Sequence, residues 1–439
     1  METSNIYCLN NNTEQQKSKH SDNMSKNDIS VKNVISLDKT KQKPLILNEE
    51  QASLIITKKI RERIADKSYH HMFSHGDFWK TKLNHNKGLT NMKNLSSENI
   101  SKLTKELGTL EEKEILFLDK ILSMKFSATH ATDANIINDK NTLSLFSRMK
   151  LEDRNIKFSR ENHSTSGDIG ELANNDFVFF SIEPGTGGLK DNSRFGKTIY
   201  VVDFDTPAFS QVSWVSLQEQ YLSFGNNTKK HIRNISNDAH KILSFSEIDI
   251  KSNMFLAKDF KKGLALSLIK KFRQLPNNDR EELLNTQSIE QFNSIINGIY
   301  RPEVKVPRHF FVNHGKENIK VSCGGGMALP ITDLDNYDVI SNAVLYNYRV
   351  LKYASEELKS NISIIKRALM NDSRAILFIH EQLEKDHSFA KEVINYYPGA
   401  LRYFPTALTD NESIVSTAVI KSPYVLSFAS ERLRKLMRK

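Results

Sequence analysis

Three carboxylates in the middle of the chain could act as proton acceptors or as charge stabilisers. Asp168 lies in a Ser-Gly-Asp-Ile segment, Glu183 ends an aromatic and β-branched stretch, and Glu303 follows an Arg-Pro pair. A carboxylate can take a proton from an attacking group or stabilise a developing positive charge. Each residue also has an ordinary structural interpretation: a capped turn for Asp168, a strand-end charge for Glu183 and a solvated edge carboxylate for Glu303.

The histidines, cysteines and glycines do not indicate a metal centre or a nucleotide loop. Cys8 and Cys323 have no His or Cys partner at ligand spacing, and no Glu follows His71 as it would in a zinc-protease helix. We therefore predict that the protein binds no metal. The glycines at 185, 187 and 188 lack the Lys-Ser/Thr pair of a phosphate-binding loop. We interpret the glycine run 324–326 as a hinge between domains.

The elements that must position these side chains are a mixture of helices and strands. Apolar periodicity and capping residues predict helices over residues 48–66, 97–123 with a break at Gly108, 258–273 and 286–299. Aromatic and β-branched runs predict strands over residues 176–183 and 198–204. Pro302 predicts extended backbone around Glu303. We expect a helical lead-in over 47–125 and an α+β domain over 126–325.

The last hundred residues repeat with a period of 25. The same spacing separates four leucines, and parallel series of aromatic and small residues follow it; the leucines are Leu358, Leu383, Leu408 and Leu433. Such a period predicts helical units that bury their apolar faces on their neighbours. We predict four units over 331–439 that form a short solenoid. The alternatives are a protein-binding surface and a purely structural cap.

Composition excludes several classes of protein. The 439 residues include 62 Lys and Arg and 52 Asp and Glu, which gives a net charge of +10. This positive charge is spread along the chain, whereas a nucleic-acid-binding protein concentrates positive charge on one surface. No apolar run approaches the roughly 18–20 residues of a membrane span, and no secretory signal peptide is recognisable. Two cysteines are typical of a reducing compartment. Residues 1–46 are polar, so we expect a disordered segment, which is either an uncleaved export signal of the bacterial type III kind or a plain disordered linker.

Several ordered blocks together resemble one family. The blocks extend over residues 68–76, 173–183, 195–203, 258–264 and 295–303. They are similar to the OspC/CopC family of type III secreted effectors, which are ADP-ribosyltransferase-like arginine ADP-riboxanases. The resemblance covers roughly residues 65–312 and implies an ADP-ribosyltransferase-like fold with NAD as a substrate. Well-known members end in ankyrin repeats, whereas this chain ends in its 25-residue units.

The resemblance also implies roles for individual residues. Glu303 would hydrogen-bond the nicotinamide ribose and stabilise the charge that develops there, and Asp168 would orient and deprotonate the acceptor arginine. Glu183 would either orient the same arginine or hold the strand end. The implied NAD contacts are a ribose hydroxyl for His130 beside Thr132, the pyrophosphate for Arg194 and the nicotinamide ring for Phe195.

Two partners and a location follow from the same resemblance. A host caspase would be the substrate, its modification blocking pyroptosis or apoptosis, and host calmodulin would be the activator. The protein would act in the host-cell cytoplasm after type III secretion, without nucleic acid or a membrane as partner. Two alternatives remain open: a non-enzymatic adaptor that acts through the C-terminal repeats, and plain ADP-ribosylation without loss of ammonia.

Overall fold

The structure is a computed structural model that describes residues 48–79, 87–134, 136, 142–158, 167–218, 232, 234–244, 249–313 and 319–438. The segment 1–46, predicted to be disordered, lies outside the described residues. The described part combines an antiparallel sheet with helices and ends in a helical C-terminal region. The predicted α+β class is confirmed.

Three helices precede the sheet: α1 Glu49–His75, α2 Gly88–Leu107 and α3 Glu112–Ser123. The predicted N-terminus of α1 is confirmed, because Asn48 and Gln51 form a reciprocal capping box. This helix extends to His75, further than residue 66, and ends where Gly76 leaves helical geometry. Gly108 ends α2 with a positive φ of 59°, so the predicted break between two helices is also confirmed.

Ten strands are described: β1 Phe126–Thr132, β2 Thr142–Phe146, β3 Phe177–Pro184, β4 Thr198–Asp203, β5 Trp214–Ser216, β6 Met254–Leu256, β7 Glu303–Pro307, β8 His309–Asn313, β9 Lys320–Gly324 and β10 Met327–Pro330. Eight of them form a sheet in the order β10-β9-β4-β1-β3-β7-β5-β6, and β2 pairs with β8 in a separate ribbon. Within the large sheet all pairings are antiparallel. The predicted strands 176–183 and 198–204 correspond to β3 and β4.

Helices cover both faces of this sheet. The helices between its strands are α4 Arg148–Asp153, α5 Pro207–Ser210, α6 Asn237–Ser244, α7 Phe260–Phe272, α8 Asn277–Leu284 and α9 Ile289–Ile299. One core joins α3, α7 and α9 to Phe180 and Val304 on one face. A smaller core joins α1 and α2 to Phe177 and Trp214 on the other. Because side chains alternate along a strand, neighbouring residues of β3 contribute to different cores.

The glycine run 324–326 is not a hinge. It forms the turn between β9 and β10, and all three glycines have positive φ. Gly325 donates its backbone N–H to the Asp191 carboxylate at 2.8 Å, which fixes the turn against the preceding loop. The large sheet therefore continues to Pro330, beyond the boundary expected at residue 325.

The C-terminal region is helical and regular. Its α-helices are α10 Tyr337–Ala343, α11 Glu356–Ser360, α12 Ile362–Asn371, α13 Glu381–Glu384, α14 His387–Tyr396, α15 Thr406–Thr409, α16 Glu412–Lys421 and α17 Glu431–Met437. Four six-residue 3-10 helices begin 25 residues apart: Tyr348–Tyr353, Ser373–Phe378, Pro398–Tyr403 and Pro423–Phe428. The predicted period is therefore present in the backbone, and the region buries one continuous apolar core.

Candidate active site

Strand register brings polar side chains together on one face of the sheet. Glu183 pairs with Ser127 of β1, and Glu303 pairs with Ser181 of β3 on one side and Ser216 of β5 on the other. Residues that pair directly across antiparallel strands point to the same face. We call this set the polar cluster, and its members are Ser127, Thr129, Ser181, Glu183, Ser216, Glu303 and Lys305.

Glu303 and Lys305 form an ion pair inside the polar cluster. The Lys305 Nζ lies 3.4 Å from Glu303 Oε2, and the Lys305 side chain is 1% exposed while that of Glu303 is 21% exposed. The Lys305 ammonium also lies 4.5 Å from the ring centre of Trp214 and 5.3 Å from that of Phe179. Aromatic faces attract a cation, so the two rings and the carboxylate together accommodate a buried positive charge. Glu303 keeps an opening to solvent.

Glu183 is buried beneath the loop that follows β3. Its Oε2 accepts the Leu189 backbone N–H at 3.3 Å, and its Oε1 lies 3.6 Å from Lys190 Nζ. The same ammonium donates to Thr129 Oγ1 at 3.3 Å. Partial burial lowers the pKa of Lys190; Glu183 and Glu303 oppose that shift, and Arg301 adds to it. Lys190 therefore contacts Glu183 directly, and Glu303 contributes to its electrostatic environment, so it relates to two of the three predicted catalytic carboxylates.

The residue that leads into Glu303 has an unusual backbone conformation. Arg301 has φ of 74°, in the left-handed region that non-glycine residues rarely adopt. Its N–H donates to the Ile296 carbonyl at 3.0 Å at the end of α9, and Pro302 then accepts from Ile182 N–H at 3.1 Å. The chain thus turns directly from the helix into β7. Such strain is typical of functional sites, and here it places Glu303 first on its strand.

Asp168 lies in a turn that packs against the C-terminal end of α1. This turn is π-helical and extends over Gly167–Glu171. The carbonyl of the next residue, Leu172, accepts a hydrogen bond from the Trp79 indole N–H. A Cβ at Gly76 would come within 2.8 Å of Glu171 O, so the turn packs closely on the C-terminal end of α1. The Asp168 side chain is half-buried in this turn.

The predicted NAD-contacting residues gather at one end of β1. His130 Nδ1 lies 2.8 Å from Phe179 O, and its ring contacts Phe180 of the larger core at 5.3 Å. Alternation places His130 and Thr132 on the face opposite to the polar cluster. The loop between β3 and β4 also meets this end, because a Cβ at Gly196 would come within 2.2 Å of the Thr132 backbone. The structure thus brings Thr132 to the loop that carries Phe195.

Arg194 and Phe195 are exposed on that loop. The Phe195 side chain is 39% exposed, and the Arg194 guanidinium lies 4.7 Å from the centre of its ring. An exposed aromatic face with a cation above it can stack on a planar ligand. The structure therefore places the predicted residues in three locations. Glu183 and Glu303 share one face of the sheet, His130 and Thr132 lie with the Arg194–Phe195 loop at the end of β1, and Asp168 lies apart in the turn at the end of α1.

A cavity of about 420 Å³ adjoins the polar cluster. Its wall includes Ser127, the partner of Glu183 across the strands, and Gly185 and Thr186 of the following loop. Lys125, Lys320, Asp203 and Asp205 give the wall charges of both signs. This volume lies in the range of roughly 300–1,000 Å³ of ordinary ligand pockets. A carboxylate-lined sheet face beside a polar cavity can bind a ligand and stabilise positive charge on it.

Sequence reasoning missed Lys190, Lys305 and this cavity. Lys305 follows Glu303 by two residues, and a period of two along the extended segment would have placed it on the same face. Lys190 and the cavity carry no such local signal, because they depend on how β1, β3 and β4 pair. Within the described ranges, no group of three or more His, Cys, Asp or Glu side chains could hold a metal ion. In the same ranges, the helices are too short or too polar to cross a bilayer.

Similarity to known proteins agrees with the resemblance in the sequence. The chain is 25% identical over 337 residues to arginine ADP-riboxanase OspC3 of Shigella flexneri, an alignment that covers 70% of this chain and 67% of the relative. Arginine ADP-riboxanase OspC4 of the same organism is 24% identical over 337 residues, which cover 70% of this chain and 77% of the relative. Arginine ADP-riboxanase OspC1, also from Shigella flexneri, is 26% identical over 289 residues, which cover 60% of each chain. These similarities support membership of the OspC family without singling out one member.

The C-terminal region is similar to a different kind of sequence. The model of a domain of unknown function, DUF4116, matches residues 336–384 and again 386–434. The two matches start 50 residues apart, so each spans two of the 25-residue units. The predicted repetition is confirmed.

Proposed function

We propose that this chain is an arginine ADP-riboxanase, an effector enzyme that uses NAD to modify an arginine of a host protein. The curated relatives with that name support the reaction class. The observation that carries the proposal is that Glu183 and Glu303 lie on one face of the sheet, two residues apart in register across β3 and β7. Lys190 lies 3.6 Å from Glu183, and a cavity lined by Ser127 of the same cluster adjoins this face. NAD, when bound, supplies the ADP-ribose group and a nicotinamide leaving group.

Glu303 is the proposed catalytic carboxylate. It stabilises the positive charge that develops on the nicotinamide ribose and accepts a hydrogen bond from a ribose hydroxyl. A fixed charge aimed at a developing charge is most effective where little water screens it. Glu303 meets this condition because Lys305 and the sheet bury most of its side chain, while 21% remains exposed.

Asp168 is the proposed base for the acceptor arginine. A protonated guanidinium is a poor nucleophile, so a carboxylate must orient it and take its proton. One guanidinium nitrogen then replaces nicotinamide on the ribose. In a second step a ribose hydroxyl attacks the guanidine carbon, a C–O bond forms, and ammonia leaves. Asp168 would serve both steps.

The remaining site residues have binding roles in this proposal. Phe195 stacks on the nicotinamide ring, Arg194 pairs with the pyrophosphate, and His130 with Thr132 contacts a ribose. Glu183 contacts the Leu189 N–H and Lys190. These contacts favour a structural role, in which Glu183 holds the loop at the strand end, over direct contact with the acceptor arginine. Since NAD has two riboses and a pyrophosphate between them, its contacts need not lie on one face of the sheet.

The partners in this proposal come from the resemblance to OspC effectors. The substrate is a host caspase, whose modification would block pyroptosis or apoptosis, and host calmodulin activates the enzyme. The site of action is the host-cell cytoplasm, reached by type III secretion.

Intact mass of the target tests the proposal directly. The protein is incubated with NAD, calmodulin and individual caspases, and each caspase is then weighed. The riboxanated product is lighter than the ADP-ribosylated one by one ammonia, so the mass also separates these two reactions. Unmodified caspases together with undiminished NAD would overturn the proposal.

An adaptor function is the second candidate, and exposed apolar residues of the C-terminal region favour it. Tyr346 and Tyr396 are 79% and 67% exposed, and Met370 and Ile420 are 69% and 80% exposed. Each pair is separated by 50 residues, so the same surface position recurs. Large exposed apolar groups in a row are typical of protein-binding surfaces. Partner binding that survives Glu303→Gln, without detectable NAD binding by the unmodified chain, would favour this function.

A further inference from the structure

The loop that carries Arg194 and Phe195 is fixed to the sheet at several points. Lys197 donates its backbone N–H to Asp133 Oδ1 at 2.8 Å, just beyond the end of β1. Phe195 N–H donates to Ser193 Oγ at 3.2 Å. At the start of the loop, Asp191 accepts from Gly325 N–H. Residues 191–197 are therefore held by their surroundings, and the position of the Phe195 ring depends on those contacts.

The first C-terminal 3-10 helix supplies further contacts to this loop. Lys352 Nζ donates to the Lys197 carbonyl at 2.7 Å, and the Tyr353 hydroxyl donates to the same oxygen at 3.4 Å. Lys352 Nζ also lies 3.1 Å from the Tyr353 hydroxyl. Two donors from the C-terminal region thus converge on one carbonyl, two residues after Phe195. A hydrogen bond from a charged donor is stronger than one between neutral groups.

The environment of these two residues fits a fixed contact. Tyr353 packs against the core of the sheet domain and against the core of the C-terminal region, so it bridges both. Burial raises the pKa of Tyr353 to about 12, and its hydroxyl remains a donor at neutral pH. Burial and the charge of Lys197 lower the pKa of Lys352, while Asp133 and Cys323 oppose that shift.

A second connection anchors the other end of the same loop. Asn347 is buried, and its amide donates to the carbonyls of Cys323 at 3.2 Å and Gly324 at 2.8 Å. Gly324 and Gly325 form the turn that holds Asp191. The first C-terminal unit therefore contacts the loop directly at Lys197 and indirectly through the turn at its start.

The repeat provides an internal comparison. Arg402 and Tyr403 lie 50 residues after Lys352 and Tyr353 and have the same basic-aromatic character. Arg402 lies over the rings of Tyr403 and Phe428 at 5.9 and 5.6 Å, within the C-terminal region. Arg402 thus packs against the next unit of the repeat, whereas Lys352 and Tyr353, at the equivalent positions of the first unit, contact the predicted NAD-binding loop.

We propose that Lys352 and Tyr353 are positioning residues for the Arg194–Phe195 loop, so that the first C-terminal unit completes the nicotinamide site. This inference rests on the proposed function. It gives the C-terminal region a part in NAD binding, separate from any partner that its exposed surface binds. The effect falls on affinity for NAD, because neither residue lies among the carboxylates assigned to the chemistry.

Hydrogen exchange and steady-state kinetics test this role together. The double variant Lys352→Met/Tyr353→Phe should exchange the amides of residues 191–197 faster, and its KM for NAD should rise about threefold to tenfold with kcat nearly unchanged, as expected for the loss of one or two hydrogen bonds. Lys352→Arg, which keeps a charged donor, should restore most of the affinity. Arg402→Met/Tyr403→Phe is the matched control and should alter neither quantity.

The outcomes separate this inference from the proposed function. If the wild-type chain has no NAD-dependent activity, the proposed function fails, yet exchange in residues 191–197 still tests the positioning contact. Equal exchange in the double variant and in the control, or a fall in kcat at constant KM, would overturn the inference. If thermal unfolding shows that the double variant is unstable, Tyr353→Phe alone, which keeps the buried ring, decides with the same two measurements.

Discussion

Glu303 and Lys305 share one face of β7, with the lysine ammonium 3.4 Å from the carboxylate and almost completely buried beneath it. The two residues are separated by a single position, so the extended backbone alone sets them side by side. Trp214 and Phe179 close the other sides of the lysine. The arrangement holds a carboxylate in one orientation while leaving part of it accessible, as a group that acts on a bound substrate requires.

Replacing Glu303 by glutamine should abolish the NAD-dependent reaction and leave the fold intact. The substitution keeps the shape and removes the charge that would stabilise the ribose, and removal of one such electrostatic contact typically costs roughly 100- to 1,000-fold in rate. Product formation by intact mass and thermal unfolding would be measured on the same preparation. Glu290→Gln, an exposed glutamate on α9, is the control. Activity of Glu303→Gln near that of Glu290→Gln would exclude a catalytic role.

The Glu303–Lys305 pair should also contribute to stability. In a double-mutant cycle with Glu303→Gln and Lys305→Met, we expect a coupling free energy of about 1–3 kcal/mol, because each single change leaves a partly buried charge without its partner. Urea unfolding would provide the four free energies of unfolding. The exposed pair Lys385–Glu381 offers a comparison, for which a much smaller coupling free energy is expected because water screens the two charges. A coupling no larger than that of the surface pair would contradict the buried interaction.

Asp168→Asn should separate NAD cleavage from transfer to arginine. Without a base the acceptor guanidinium stays protonated, whereas breaking the nicotinamide bond depends on Glu303 in this proposal. We therefore expect transfer to the acceptor arginine to fall by about 100-fold or more, while slow release of nicotinamide to water continues. Chromatography of nicotinamide and intact mass of the target would measure the two rates. The control is Glu171→Gln, because Glu171 is exposed on the same turn, and it should change neither rate. If Asp168→Asn reduced both reactions equally, Asp168 would not be the base for the acceptor arginine.

Local signals in the sequence predicted those helices and strands that have a clear cap, a helix-ending glycine or a run of aromatic residues. The Asn48 capping box, the break at Gly108 and the aromatic run of β3 were all recognisable. By contrast, β1 has the sequence Phe-Ser-Ala-Thr-His-Ala-Thr, which lacks a clear apolar alternation. Three-residue strands such as β5 and β6 are too short to show any period. The strand order follows from long-range pairing, and no local pattern encodes it.

The family-like blocks have structural explanations that the sequence did not provide. Buried Asp176 accepts hydrogen bonds from Ser68 at 2.7 Å, Ser147 at 2.9 Å and Arg308 at 3.1 Å, so it joins α1, α4 and the start of β8. Gly263 faces the ring of Phe255, where a Cβ would lie 2.6 Å from ring atoms. Asp176 and Gly263 therefore maintain packing in this chain. Only the strand register could show that Glu183 and Glu303 share a face while His130 lies on the other.

Acid should destabilise the protein through Glu114, which is buried between α3, α7 and α8. Burial alone would raise the pKa of this carboxyl, but hydrogen bonds from Arg273, the Glu111 backbone and Arg280 lower it to about 2. Because the folded-state pKa lies below the unfolded value near 4.5, the stabilisation is complete above about pH 4.5 and is lost as pH falls toward 2. A difference of this size corresponds to about 3 kcal/mol.

Glu114→Gln should therefore lower the free energy of unfolding by about that amount at pH 7 and by much less near pH 2.5, as measured in urea. Glu112→Gln, exposed on the same helix, should keep the wild-type acid dependence; if Glu114→Gln kept it too, another group would have to account for the loss of stability in acid.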